Sequence, residues 1–159
     1  MGLARLASLS TVVALVVFGM ADLTPGQLAM LRDPQGWEYT AVFDLHNGMH
    51  VNHSCLVQGQ PSDSCRGTLK LTDDGRFVQD MYIHGQSVVR HGTYELSGSQ
   101  ITLKDELGTS DGPYNLEFKP DSDSLRMSMN SAGVLIGADL QLVNSSKKKK
   151  KPAPQPASS

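Results

Sequence analysis

Three histidines, His46, His50 and His53, stand beside Met49 and Cys55 in the run HNGMHVNHSC. Imidazole and thioether donors at this density are the ligand types of a zinc or copper site, and on a helix the three histidines would share one face. The segment reads as a hairpin instead. A three-residue loop pairing Leu45 with Met49, Phe43 with Val51, Ala41 with His53 and Tyr39 with Cys55 keeps apolar positions opposite one another. It puts His46 in the turn, His50 outward and His53 toward the core, so the donors do not converge, and His84 and His91 are too loosely placed to complete a set. Arg90 is a second point of chemical interest, falling among apolar residues on an inward strand face. A guanidinium there needs an acceptor, either a ligand carboxylate inside a cavity or water at a rim. Asp80 opposite His91 has the composition of half an acid–base pair, but on an outer face it reads as a surface cross-strand pair. The chain has no GxSxG, no HExxH and no glycine loop that would cradle a phosphate, so it is read as a non-enzyme with no cofactor.

The elements that position these residues are mostly strands. Thr24 to Arg32 is helix-like, with Thr24 as cap, Pro25 in the first turn and Leu28 and Leu31 on one side. From Gly36 onward the apolar period is two. Trp37, Tyr39, Ala41, Phe43 and Leu45 alternate with more polar residues, and Asn47-Gly48 turns the chain. Leu69 and Leu71 precede the Asp73-Asp74-Gly75 turn, and Phe77, Met81 and Ile83 follow it. Gly85-Gln86 suits a type II′ hairpin that pairs Ile83 with Val88, Met81 with Arg90 and Asp80 with His91. Further strands are read at 100–105, 113–119, 124–130 and 135–143, with turns that include Gly108–Gly112. About eight or nine short strands in sequence predict an all-β, up-and-down antiparallel meander, closed into a barrel to remove its edges. A two-sheet sandwich is the alternative.

The ends of the chain have a different composition. Residues 1–21 have the layout of a secretory signal: Arg5, an apolar run from Leu6 to Met20, and small residues at Gly19 and Ala21. Residues 147–159, five lysines followed by a Pro/Ala/Ser stretch, read as a disordered tail able to make weak contact with anionic surfaces. One domain is left, residues 22–146. The chain's formal charge is −2, yet all sixteen acids and only eight of the fourteen bases lie in that domain, which therefore carries −8. Such an acidic body argues against nucleic acid as a partner. Cys55 and Cys65, flanking a Gly/Pro/Ser/Asp-rich loop in a chain read as secreted or periplasmic, are expected to form a disulfide.

The stretch from Gly67 to Asp105, GTLKLTDDGRFVQDMYIHGQSVVRHGTYELSGSQITLKD, resembles the central hairpins of bacterial secreted lipocalin-like domains of the calycin type. Gly36-Trp37 is similar to their first-strand Gly-x-Trp, with one residue fewer between the two. The resemblance implies a non-enzymatic barrel with an end-on cavity for a small apolar or amphipathic ligand. On that reading Trp37, Phe43, Phe77, Met81, Tyr94 and Phe118 line or fill the interior, and Arg90 meets a negative ligand end. Two other functions fit the same sequence. One is an inhibitor-like interaction module binding a protein partner through loops and the 22–33 segment, and the other is a metal-handling protein using His46, His50 and His53.

Overall fold

The computed structural model describes residues 21–46, 49–83, 85–120 and 122–143. The signal and tail readings fall on residues 1–20 and 144–159, outside the described residues, apart from Ala21.

The chain enters through helix α1, Pro25–Leu31. Its start is set locally: the Thr24 hydroxyl accepts from the Gln27 amide while the Gln27 side chain accepts from the Thr24 amide, a reciprocal capping box. The strands follow as β1 (Trp37–His46), β2 (Met49–Ser54), β3 (Leu56–Val57), β4 (Gln60–Pro61), β5 (Cys65–Leu71), β6 (Arg76–Ile83), β7 (Gln86–Ser97), β8 (Gln100–Asp105), β9 (Ser110–Phe118), β10 (Ser124–Ser131) and β11 (Val134–Leu142). Strands β5 to β11 pair in sequence order, β5 pairs with β1, and β1 pairs with β11. This closes an eight-stranded antiparallel barrel of up-and-down connectivity, the architecture expected from the alternating pattern.

The ninth strand of the sheet, β2, pairs with β1 in the hairpin expected at Asn47-Gly48, but it shares its edge of β1 with β5. Strand β1 offers one edge to both β5, at Trp37–Leu69 and Glu38–Thr68, and β2, from Ala41–Ser54 to His46–Met49. β2 and β5 thus succeed one another along the same edge. The residues between them leave as an excursion containing the small β3–β4 hairpin. The Cys55–Cys65 disulfide joins the two ends of that excursion, with Cα atoms 4.3 Å apart and both cysteines fully buried.

Two hairpin registers differ from those expected. In β1–β2, Leu45 faces His50, Phe43 faces Asn52 and Val42 faces His53, so two residues rather than three separate the paired ends. A three-residue loop keeps apolar residues opposite one another across the hairpin, but a bulge between Tyr39 and Ala41 removes that requirement. Beyond the bulge it is Val42 that shares a face with Ala138, while Phe43 lies across from Gly137 of β11. A Cβ on Gly137 would come within 2.8 Å of the Phe43 ring, so the glycine admits the ring, and Phe43 is covered from β11 instead of β2. In β6–β7, Ile83 pairs with Gln86, Gln79 with Arg90 and Val78 with His91. Gly85, at φ +80°, takes the second turn position instead of the first, which slides the pairing by two residues and preserves the inward faces. Asp80 therefore stands opposite Val89, and His91 bonds Glu106 at 2.8 Å, replacing the Asp80–His91 pair.

Alternate turns fall at opposite ends of the barrel. The end that receives α1 is filled. Leu31, Trp37, Leu69, Leu71, Phe77, Ile101, Leu125 and Leu140 are essentially inaccessible to solvent. The indole Nε1 of Trp37 donates to the Leu31 carbonyl at 3.0 Å, which ties the helix beneath the first strand, and Phe118 meets the indole edge-on at 6.3 Å. Gly36, at φ +74°, makes the approach possible, because a Cβ there would sit 2.9 Å from the Leu69 carbonyl oxygen.

Candidate functional site

The other end of the barrel is hollow. Val42, Met81, Ile83, Met127, Ile136 and Ala138 form apolar walls around a cavity of about 250 Å³, with Tyr39 and Leu103 among its lining residues. The strand alternation that packs Trp37 and Phe77 lower down delivers smaller or unbranched side chains here, and the Tyr39–Ala41 bulge moves Phe43 off the face that Tyr39 occupies. An apolar cavity of about 150 Å³ accommodates benzene, so this one has room for about ten heavy atoms.

One side of the cavity is polar. Gln79, on β6, donates from Nε2 to the Tyr39 hydroxyl at 2.7 Å, and its Oε1 faces Arg90 at 3.5 Å. Because arginine only donates, the amide orientation is fixed by chemistry: oxygen toward Arg90, nitrogen toward Tyr39. Arg90 donates to Asp111 Oδ2 at 2.8 Å and lies 3.7 Å from Asp105. Tyr114 donates to the other Asp111 oxygen at 2.6 Å. The chain of contacts runs from Asp105 and Asp111 through Arg90 and Gln79 to Tyr39, spanning β8, β9, β7, β6 and β1.

Burial and charge act on the two phenols in the same direction. Loss of hydration is the main cause that raises Tyr39, to about 12; the Gln79 bond opposes it and the charge of Asp111 adds to it. Tyr114 is pushed up further, again chiefly by burial and then by its bond to the Asp111 carboxylate and that group's charge. Both are neutral at physiological pH and can act as hydrogen-bond donors. Tyr39, which accepts from Gln79, keeps its own proton to offer to a molecule in the cavity.

No protein-family profile, no curated protein and no solved structure matches this chain.

The residues singled out in the sequence divide between the two ends. Met81 and Phe43 border the cavity, and Phe43 also stacks beneath the Arg126 guanidinium at 5.1 Å. Arg90 faces inward as read, but its acceptors are Asp111 and Asp105, supplied by the protein itself. Trp37, Phe77, Tyr94 and Phe118 belong to the filled end and do not line the cavity. The Tyr94 hydroxyl, for example, donates to the Thr72 carbonyl and accepts from Arg32 Nε, each at 2.7 Å, beneath the helix. Of the histidine run, the His53 backbone pairs with Val42 on β1, while the side chains of His46 and His50 lie outside the described residues. Among the described residues no group of three or more His, Cys, Asp or Glu is placed to hold a metal ion.

Sequence reasoning did not single out Tyr39, Gln79, Asp105, Asp111 or Tyr114 as a site. Asp105 precedes the segment 108–112, which reads locally as a turn, and Asp111 lies within it. The available signal was the inward Arg90: an inward guanidinium demands a carboxylate, and Asp105 and Asp111 are the acids nearest in the strand order.

Proposed function

We propose that this protein is an exported, non-enzymatic lipocalin-like barrel that binds a small apolar or amphipathic molecule in the open half of its interior. The observation that carries this reading is the asymmetry of one continuous barrel: one end is packed solid, while the other keeps a roughly ten-atom apolar chamber with a hydrogen-bonding side. Export is supported by the N-terminal apolar run read from the sequence and by the Cys55–Cys65 disulfide, a bond that persists in oxidising compartments. Among the described residues, no helix is long and apolar enough to cross a membrane.

A second reading is the interaction module. It gives the 22–33 segment to a protein partner; Leu31 anchors that segment to the barrel through Trp37, while Asp22, Thr24, Pro25, Gly26 and Ala29 are exposed. The 55–64 excursion, where Val57 is half exposed, is among the loops such a partner would meet.

Native mass spectrometry of the chain from Asp22 to Ser159, isolated from an oxidising compartment, tests the leading reading. The expected result is an additional mass of up to a few hundred daltons that disappears on denaturation. A bare mass, with no uptake of small amphiphiles added afterwards, would remove the binding function.

A further inference from the structure

Resting on the reading of the open half as a binding chamber, we infer that its ligand carries a positively charged or hydrogen-bond-donating end, an amine in the simplest case, and not a carboxylate. An inward arginine in a barrel invites the opposite assignment, and the geometry reverses it. The guanidinium of Arg90 is committed to Asp111 at 2.8 Å, with Asp105 on its Nε side at 3.7 Å, and its side chain is only 19% exposed. Of the two partners, Asp111 lines the cavity and Arg90 does not.

Asp111 does have capacity left. An ionised carboxylate presents about four acceptor positions. Arg90 takes one on Oδ2 and Tyr114 takes one on Oδ1, while the residue itself lines the cavity and keeps 28% of its side chain exposed. A third carboxylate, Asp44, is exposed and pairs across from Ile136, a residue of the cavity wall. Asp111 is the carboxylate on the cavity lining, and Asp105 stands behind it on the far side of Arg90. The surrounding domain carries −8, so its long-range field draws cations and repels anions. A ligand carboxylate would enter against this field and would meet Asp111, not Arg90, on the cavity lining. An ammonium group suits that lining: its apolar tail fills the space between Met81, Met127 and Ile136, and its N–H groups find the free Asp111 positions.

The test uses three ligands with one tail, octylamine, 1-octanol and octanoate, each of a size near the chamber's capacity. They are titrated calorimetrically into the intact chain at neutral pH and low salt. Octylamine is expected to bind at least tenfold more tightly than octanoate, with 1-octanol between them, and 1-octanol is expected to displace octylamine, which places both in one chamber. Asp111→Asn is expected to shrink the amine-to-acid ratio severalfold, while Glu95→Gln, an exposed acid on β7 away from the mouth, leaves it unchanged. Octanoate binding as tightly as octylamine would overturn the inference and leave the chamber reading intact. So would octylamine that 1-octanol cannot displace, a measurement that needs no variant to fold. If none of the three binds, the chamber reading fails and takes the inference with it.

Discussion

The two ends of this barrel are built from the same eight strands and solve opposite problems. At the helix-bearing end Trp37, Phe77 and Tyr94 reach the axis, Leu31 covers them from below, and the polar atoms they bring are bonded to backbone carbonyls nearby. At the open end Val42, Ala138 and Met127 leave space between them, and the polar atoms are bonded to one another across five strands. The first arrangement serves stability, because buried apolar area and close packing are what fold a domain of this size. The second gives up packing and keeps shape and charge. An eight-stranded barrel is near the diameter at which its own side chains can fill it, so small changes in residue size and one bulge decide which end is solid.

The comparison would break if the ends contributed equally to folding. Trp37→Ala removes a fully buried indole and its bond to Leu31, and is expected to cost about 3–5 kcal/mol in denaturant unfolding. Met81→Ala, on the wall of an existing cavity, is expected to cost about 1 kcal/mol, because the deleted atoms were only partly packed. Equal losses would mean that the open end is load-carrying and the chamber is filled in solution.

Much of the filled end could be read directly, because its signals are local and periodic. The Thr24 cap with Pro25 predicted the helix and the alternation from Trp37 predicted β1; away from that end, two cysteines around a polar loop predicted the staple. The chamber was harder to read because it depends on events with no local signature. A single bulge after Tyr39 reassigned Phe43, and the Gly85 turn slid Arg90 from Met81 to Gln79. Strand β9 begins at Ser110, before the Gly112-Pro113 pair taken as its boundary, and so carries Asp111 into the wall. Pairing distances of 21 to 40 residues, as between Arg90 and Asp111 or Gln79 and Tyr39, lie beyond any periodic pattern.

A second, smaller difference concerns alkali. Tyr39 is raised above the ordinary phenol value to about 12, so its neutral form is favoured by folding. A folded pKa above the unfolded one gives stability that is complete below pH 10 and is lost as pH rises from about 10 to 12. The loss expected from this group is on the order of 2 kcal/mol, and Tyr39→Phe flattens that part of the profile. Phenolate absorbance followed alongside stability checks it: Tyr39 is expected to ionise only near 12 or on unfolding. A Tyr39→Phe profile as steep as the parent's would show that the buried phenol is not what makes the open end sensitive to base.

The smallest effect lies on a surface pair that links β10 and β11 without entering either half of the interior. Arg126 grips Asp139 with two bonds, from Nε at 2.8 Å and from an Nη at 2.9 Å, and this hydrogen bonding is the main cause that holds the Asp139 carboxyl below its ordinary value. A depressed folded pKa has the opposite sign to the phenol: the stabilisation is present above the unfolded value near 4 and disappears as pH falls through the lower folded value. The Arg126 side chain is 42% exposed, so solvent and salt screen the pair, and its contribution is expected to stay below about 1 kcal/mol. Asp139→Asn should therefore lower stability slightly at pH 7 and converge with the parent in acid, with the gap at pH 7 narrowing in high salt. A gap that persists below the carboxyl range would point to the geometry of the paired side chains over Phe43, where the Arg126 guanidinium also packs, and not to charge.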